Sequence, residues 1–328
     1  MTADRVSGSV TARIAGGIGI TGAVAALTGA GLALFTWRTA RRVEAAIPPA
    51  GKFINVDGTL VHYTDEGSGP AIVLIHGMGG QLKNFSSDAL KSLSQDYRVV
   101  AMDRPGSGYS RRARGASAAL GTHAMAVAGL IRELGLHRPL LVGHSLGGAV
   151  ALAVALNHPD RVGGVALIAP LTNRQETVPP LFRALAIRSP VLRFLAAWTL
   201  ATPTSILNRD KALETLFGAR PPPADFALKN GALLNLRPSS FYSASSDMAA
   251  VNEDLPGLIE RYREITIPVG ILYGTDDHVL DYRIHGEAMA DKIPDLDLEL
   301  IDGGDHMLPI SAPGRTAAFI RRIAERIA

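Results

Sequence analysis

From residue 52 onward, short β-rich runs alternate with helical stretches, and this alternation constrains the fold more than any other feature of the chain. A hairpin pattern at 53–64 comes first, with an Asp57-Gly58 turn. Short apolar runs then recur between helical patterns, at 72–75, 98–102, 140–142 and 162–168. Continuous apolar runs of this kind are typical of parallel strands that are buried on both faces. The alternation predicts an α/β fold with a mostly parallel, doubly wound sheet.

The alternation stops at Pro170 and resumes at Pro268. The chain between these prolines is helical in character and is broken by further prolines, among them Pro221, Pro222 and Pro223. After Pro268 come a strand, a helix, a strand and a last helix. This pattern predicts a helical insertion on a parallel-sheet core.

The N-terminal region differs from the rest of the chain, because residues 14–37 carry no charged side chain. As a helix this segment would extend roughly 36 Å, and the apolar core of a bilayer is about 30 Å thick. We predict an uncut transmembrane helix at 14–37, after a tail at 1–13 and before a linker at 38–50. A cleaved signal peptide, suggested by Gly31-Leu32-Ala33, and a soluble N-terminal helix are the alternatives.

This predicted helix suggests where the protein lies and what it contacts. Arginines are more numerous after the span than before it, which favours a single-pass membrane protein whose large C-terminal part faces the cytoplasm. The membrane is then a partner through the N-terminal helix. Small residues three or four positions apart also give this helix a smooth face, which would allow close contact with the same helix of a second copy. A homo-oligomer is therefore one possibility. The alternative is that a span rich in Gly and Ala has such a face by chance.

Composition excludes several classes of protein. Apolar residues make up 47% of the chain, which is incompatible with disorder. The net charge of +3 is too small, and too evenly spread, for a protein dedicated to binding nucleic acid. The chain has no cysteine, so disulfides, Cys-ligated zinc, iron–sulfur clusters and thiol nucleophiles are excluded together.

The pentapeptide Gly143-His144-Ser145-Leu146-Gly147 lies directly after the predicted strand at 140–142 and opens a helix. A serine between two glycines on such a strand-to-helix turn is lifted out at the carboxyl edge of the sheet. The N-terminus of the helix behind it favours developing negative charge. Ser145 is therefore the candidate nucleophile, and a buried N-cap serine is the structural alternative.

A serine needs a base, and the base needs a carboxylate that orients it. His306 lies in the loop between the last strand and the last helix, from which a side chain can reach the sheet edge, and it is the candidate base. Asp276 and Asp277 both follow the next-to-last strand. We assign the carboxylate to Asp277 and expect Asp276 to be a turn or capping residue. The chain order Ser145, Asp277, His306 is the order found with a nucleophile elbow.

An acyl-transfer site also needs hydrogen-bond donors for an oxyanion. The loop His76-Gly77-Met78-Gly79-Gly80 follows the strand at 72–75, and its glycines allow backbone N–H groups to turn inward. We assign the oxyanion hole to the N–H groups of Met78 and Leu146. A merely flexible turn is the alternative reading of this loop.

From about residue 51 to its end the chain resembles the α/β-hydrolases. Five motifs occur in that superfamily's order: H-G-x-G-G, D-R-x-G-x-G-x-S, G-H-S-x-G-G, G-x-x-D and G-D-H. The resemblance implies a core at 51–170 and 264–328, with a helical cap at 171–263. It also implies that Ser145, Asp277 and His306 form a catalytic triad. Epoxide hydrolases and haloalkane dehalogenases carry an aspartate at the elbow, so Ser145 disfavours both.

These observations lead to the interpretation of the chain as a serine carboxylic-ester hydrolase of the esterase or lipase type. Its substrate would be a small-molecule ester with a lipophilic alcohol or acyl chain, and the reaction would need no metal or organic cofactor. Two alternatives remain. One is a C–C bond hydrolase that uses the same triad, and the other is a non-catalytic ligand-binding protein with this fold.

Overall fold

A computed structural model describes residues 4–175 and 179–327, with side chains of the N-terminal helix from residue 24 onward. The strands are β1 (Lys52–Val56), β2 (Thr59–Glu66), β3 (Ala71–Ile75), β4 (Arg98–Met102), β5 (Leu140–His144), β6 (Gly164–Ile168), β7 (Val269–Gly274) and β8 (Leu296–Ile301). They form one eight-stranded sheet in the order β1-β2-β4-β3-β5-β6-β7-β8. Only the pairings of β2 with β1 and with β4 are antiparallel among the described residues. The predicted α/β fold with a mostly parallel sheet is confirmed.

The described helices fall into four groups along the chain. The N-terminal helix is α1 (Asp4–Ala46). Before β6 come α2 (Asp88–Lys91), α3 (Leu120–Glu133) and α4 (Leu146–Asn157). Between β6 and β7 lie α5 (Pro190–Trp198), α6 (Ala201–Leu207), α7 (Arg209–Phe217), α8 (Phe226–Lys229) and α9 (Pro238–Ile259). After β7 come α10 (Tyr282–His285), α11 (Leu308–Ser311) and α12 (Pro313–Glu325). Short 3₁₀ turns occur at Leu82–Phe85, Ser92–Gln95, Pro159–Arg161, Pro180–Leu185, Ala232–Leu236, Tyr262–Glu264 and Glu287–Met289.

Helices cover both faces of the sheet. Along β3, Val73 and Ile75 pack on the side of α3 and α4, whereas Ile72 and Leu74 pack on the side of α2 and α12. Alternate residues of a strand point to opposite faces, so both faces of this strand are buried. Helix α4 is apolar all round and almost every residue in it is buried, which places it in the interior of the molecule. Neither face of this part of the sheet is therefore free, and the carboxyl ends of the parallel strands meet at one edge of it.

The helices between β6 and β7, α5 to α9, form a cap on this edge. Helix α9 packs against α4 and α5, and it is the longest helix of the cap. Helix α5 turns its Arg193 inward, where the guanidinium donates hydrogen bonds to the hydroxyls of Ser245 and Ser246 on α9, each at 3.0 Å. The cap is thus held together by polar as well as apolar contacts.

The C-terminal part of α1 packs on the folded protein. Thr36, Ala40, Val43 and the following Ile47 are buried and lie three or four residues apart, so they form one stripe along the helix. Val43 and Ile47 contact Leu234 of the cap. The predicted linker at 38–50 is therefore helical as far as Ala46.

The predicted transmembrane helix at 14–37 and the single-pass membrane localisation are corrected by the structure. Within the part of the chain that the structure describes, we find no helix that combines the length and the apolar surface needed to cross a bilayer. The side chains of residues 14–23 lie outside the described part. Half of the segment at 14–37 is Gly or Ala, which offer little apolar surface. Thr36 near its end is buried, and α1 packs against α5, α6 and α9 of the cap.

Candidate active site

Ser145 occupies the turn between β5 and α4 in a backbone conformation that few residues adopt. Its φ is 54° and its ψ is −122°, and a positive φ costs free energy in any residue with a side chain. The turn is held from the side of β6, because the Ser145 N–H donates to the Ile168 carbonyl at 3.0 Å. The surrounding contacts therefore fix Ser145 in a strained position at the carboxyl edge of the sheet.

The two glycines of the motif explain why the turn can be so tight. A Cβ atom on Gly143 would overlap the carbonyl oxygen of Gly147, and one on Gly147 would overlap the carbonyl oxygen of Ile75. Both clashes are with backbone, which cannot move aside without displacing a strand or a helix. The G-x-S-x-G spacing is thus a packing requirement of this turn.

His306 and Asp277 form a hydrogen-bonded pair at the same edge. The Nδ1 atom of His306 lies 2.7 Å from Oδ2 of Asp277, and both side chains are almost wholly buried. The other carboxylate oxygen, Oδ1, accepts hydrogen bonds from the N–H groups of Val279 at 2.7 Å and Leu280 at 2.9 Å. Since the backbone holds the carboxylate, it can orient the imidazole.

Asp276 points away from this pair. Its side chain is 51% exposed and its Oδ1 lies 3.1 Å from Nε2 of the exposed His278. The structure thus brings Asp277, and not Asp276, to His306.

A second histidine, His144, packs beside His306, with the two ring centroids 5.1 Å apart. Burial, and then the nearby His306, lower the pKa of His144 to about 3. The ring is therefore neutral, and its Nε2–H donates to the His306 carbonyl oxygen at 2.9 Å. His144 thus supports the backbone of His306 and does not titrate as a base near neutral pH.

Met78, Leu146 and Ser145 line one cavity beneath the cap, with about 540 Å³ of unfilled space that is partly open to solvent. Among the described residues, neither the Met78 N–H nor the Leu146 N–H has a hydrogen-bond acceptor. A Cβ atom on Gly77 would lie 2.9 Å from Cβ of Ser145, so the loop that carries Met78 lies against the candidate nucleophile. Both expected oxyanion donors therefore lie at the cavity that contains Ser145.

Most of the cavity wall is apolar. Its remaining lining residues are Leu171, Gln175, Phe182, Met248, Val251, Asn252, Leu255, Val279 and Leu280. Four of them come from α9, so the cap forms one wall and the sheet edge forms the floor. Within the described chain, no group of three or more Asp, Glu or His side chains is arranged to hold a metal ion.

A buried ionic cluster links the loop after β4 to the cap, and reasoning from the sequence missed it. The carboxylate of Asp247 on α9 accepts hydrogen bonds from Arg104 at 2.9 Å and Arg112 at 3.1 Å, and it lies 3.3 Å from Nε2 of His123. Although burial opposes ionisation, these partners hold the pKa of Asp247 below its usual range. The only signal in the sequence is an acid among small residues in a helical pattern, which by itself does not identify its partner.

The sheet, the strained serine turn and the His–Asp pair at one edge define the α/β-hydrolase fold. The family model described as the alpha/beta hydrolase fold matches residues 70–313. The chain belongs to this family and is a hydrolase.

Comparison with individual proteins places the chain among several activities. It is 30% identical to a 2-hydroxy-6-oxononadienedioate/2-hydroxy-6-oxononatrienedioate hydrolase of Burkholderia vietnamiensis, over 78% of this chain and 88% of that protein. It is 26% identical to the crystal structure of a membrane phospholipase A, a bacterial virulence factor, with a TM-score of 0.69 over 96% of this chain and 98% of that one. It is 43% identical to the dihydrolipoyllysine-residue acetyltransferase component of the acetoin cleaving system of Cupriavidus necator, over 37% of this chain. That match spans only 32% of the acetyltransferase component.

Proposed function

We propose that this hydrolase cleaves carboxylic esters through an acyl-enzyme intermediate, with Ser145 as nucleophile, His306 as base and Asp277 as the orienting carboxylate. The observation that carries the proposal is the buried His306–Asp277 pair, 2.7 Å apart, at the sheet edge where the half-buried Ser145 occupies its elbow. A carboxylate that is itself held by backbone N–H groups fixes the tautomer of the histidine. Nδ1 then carries the proton, and Nε2 is free to accept one.

The reaction follows from these positions. His306 Nε2 takes the hydroxyl proton as Ser145 Oγ attacks the ester carbonyl, and Asp277 stabilises the imidazolium that forms. The N–H groups of Met78 and Leu146 stabilise the negative charge on the tetrahedral oxygen. His306 then gives its proton to the departing alcohol, and a water molecule that it activates releases the acid from Ser145.

The cavity supports a lipophilic substrate. Apolar side chains from the cap and the sheet edge surround the space beside Ser145, and an apolar acyl or alcohol group would gain free energy by leaving water there. The similarity to a membrane phospholipase A agrees with an ester of this kind.

A C–C bond hydrolase with the same triad is the second candidate, and the similarity to the Burkholderia hydrolase favours it. The substrate in that protein's name carries two carboxylates. The described residues that line the cavity here include neither Lys nor Arg, and their polar side chains are Ser145, Gln175 and Asn252. A buried dianion without a cationic partner is costly, so the lining favours an ester.

A fluorophosphonate probe followed by a substrate panel tests the proposal. We expect stoichiometric labelling of the purified chain, turnover of p-nitrophenyl acetate, butyrate and octanoate, and no turnover of a ring-cleavage diacid. Labelling with turnover of the diacid alone would establish the C–C hydrolase. A folded protein that is neither labelled nor active on any substrate would be a non-catalytic binding protein.

A variant in the cavity tests the lipophilic specificity. Val251 lines the cavity and is buried, so Val251→Phe is expected to fill space that a long acyl chain needs. We expect kcat/KM for the octanoate ester to fall about 10-fold relative to the acetate ester, the range typical of lost apolar contacts in a pocket. Glu253→Phe, two residues along on the exposed side of α9, is the matched control and should leave the ratio unchanged. An unchanged ratio in Val251→Phe would show that the acyl chain binds elsewhere.

A further inference from the structure

Arg104 follows β4 and is fully buried, yet it does not line the cavity of Ser145. Its guanidinium donates to two consecutive carbonyl oxygens of the loop after β3, from Nε to His76 at 2.9 Å and from one terminal nitrogen to Gly77 at 3.1 Å. The other terminal nitrogen donates to Asp247 at 2.9 Å. Five donors in a rigid planar fork suit such a multiple contact, and a lysine cannot reproduce it.

The Gly77 carbonyl and the Met78 N–H belong to one peptide group. This group is planar and trans, so the C=O and the N–H point in opposite directions. The Gly77 oxygen is held on the side of Arg104 and accepts two further hydrogen bonds, from Nδ1 of His76 at 2.8 Å and from the Gly80 N–H at 3.1 Å. The Met78 N–H is thereby directed to the opposite side of the loop.

We propose that Arg104 is a positioning residue of the oxyanion hole, which orients and polarises the Gly77–Met78 peptide group so that the Met78 N–H is a stronger donor to the oxyanion. This inference rests on the proposed ester hydrolysis. A cation that binds the carbonyl oxygen draws electron density from the peptide, and hydrogen bonds in a chain strengthen one another. The charge of Arg104 thus acts on the reaction without touching the substrate.

Arg104 is the charged donor to the Gly77 carbonyl, because the neighbouring donor, His76, is neutral. The backbone N–H of Arg104 donates to His76 Nε2 at 2.9 Å, so the proton of His76 is on Nδ1, which faces the Gly77 oxygen. Burial, and then the charge of Arg104, lower the pKa of His76 to about 3. His76 is therefore neutral near pH 7, and it holds the carbonyl without adding charge.

Asp247 connects the same arginine to the cap. Helix α9 carries Asp247 and, directly after it, the cavity-lining Met248, Val251 and Leu255. The carboxylate fixes one end of the guanidinium while the other two nitrogens hold the loop. The wall of the substrate cavity and the oxyanion loop are therefore tied to each other through one side chain.

The test is Arg104→Lys, which keeps the positive charge but cannot donate hydrogen bonds to Asp247 and to both carbonyl oxygens at the same time. We expect kcat on p-nitrophenyl butyrate to fall about 10- to 100-fold. Removing an oxyanion donor altogether typically lowers kcat by about 100- to 1000-fold, and here the donor is retained but weakened. KM should change less than about twofold, because the oxyanion hole contributes little to binding of the ester before the reaction. Affinity for a trifluoromethyl ketone, which forms the tetrahedral adduct, should fall by the same factor as kcat.

Arg112→Lys is the matched control. Arg112 also pairs with Asp247, but its other contact is the Pro105 carbonyl at 3.0 Å and not the oxyanion loop. We expect its kcat to remain within about twofold of the parent. Equal losses of kcat in both variants would show that the ionic cluster acts only through stability, and the inference would fall.

A combined variant addresses folding, because removing one member of a buried ion cluster is strongly destabilising, whereas replacing all of its charged members by apolar residues is often tolerated. Since Asp247 pairs with both Arg104 and Arg112, the variant carries Arg104→Met, Arg112→Met and Asp247→Leu together. It is expected to fold, with unchanged circular dichroism, and still to lose kcat at least about 10-fold. A folded combined variant with the parent's kcat would overturn the inference. Failure of the parent to react with fluorophosphonate would instead refute the proposed function itself, so the two failures are distinguishable.

Discussion

Ser145→Ala is expected to lower kcat on p-nitrophenyl butyrate by about 10⁴-fold or more, the range seen when a triad nucleophile is removed. Alanine offers no oxygen for attack, and it is no larger than serine, so the elbow between β5 and α4 keeps its packing. The measurement is kcat from initial rates, together with fluorophosphonate labelling followed by intact mass. The variant should have the parent's circular dichroism and thermal midpoint.

His306→Ala is the companion of this variant. Nucleophile and base act as one unit, so it should be about as damaging, and the double variant should be hardly worse than either single one. Labelling of Ser145→Ala at the level of the parent would show that another residue reacts, and the assignment of the nucleophile would be abandoned.

Asp277→Asn is expected to lower kcat about 10³- to 10⁴-fold without unfolding the protein. The N–H groups of Val279 and Leu280 require an acceptor, so the amide oxygen of the new asparagine would face them. Its NH₂ group would then face Nδ1 of His306 and donate to it. The proton of His306 would move to Nε2, and the base would be lost. A pH–rate profile between pH 5 and 9 in both proteins is the measurement.

Asp276→Asn is the control, one residue away on the same loop. Its carboxylate is half exposed and pairs with the exposed His278, so kcat should change less than about twofold. Comparable losses in the two variants, or a larger loss at 276, would show that the orienting carboxylate has been assigned to the wrong residue.

Local sequence patterns were sufficient for the sheet and for the position of the candidate site. Ser145 was found from two glycines and a strand that precedes them, because the clashes that exclude larger residues lie within the turn and its neighbouring strand. Asp277 and His306 were found because residues that follow parallel strands meet at one edge of the sheet. Their roles in catalysis stay predictions until the variants are measured.

The N-terminal helix shows where such patterns fail. An uncharged stretch predicted a membrane span, but the periodic burial of Thr36, Ala40 and Val43 depends on a cap surface that comes much later in the chain. A run of Gly and Ala specifies a helix without specifying what it packs against, since small side chains give little apolar surface to distinguish one environment from another.

The tertiary structure alone decided how the cap meets the sheet edge. Arg104 and Asp247 are 143 residues apart, and neither belongs to a motif that names the other as its partner. The contact exists because α9 packs over α4 and carries its single buried carboxylate down to the loop after β4. The sequence determined the turns and the strands, because these depend on short-range sterics. The cavity wall and the buried charge behind the oxyanion loop depend on the path of the cap across the core, and no local sequence pattern encodes that path.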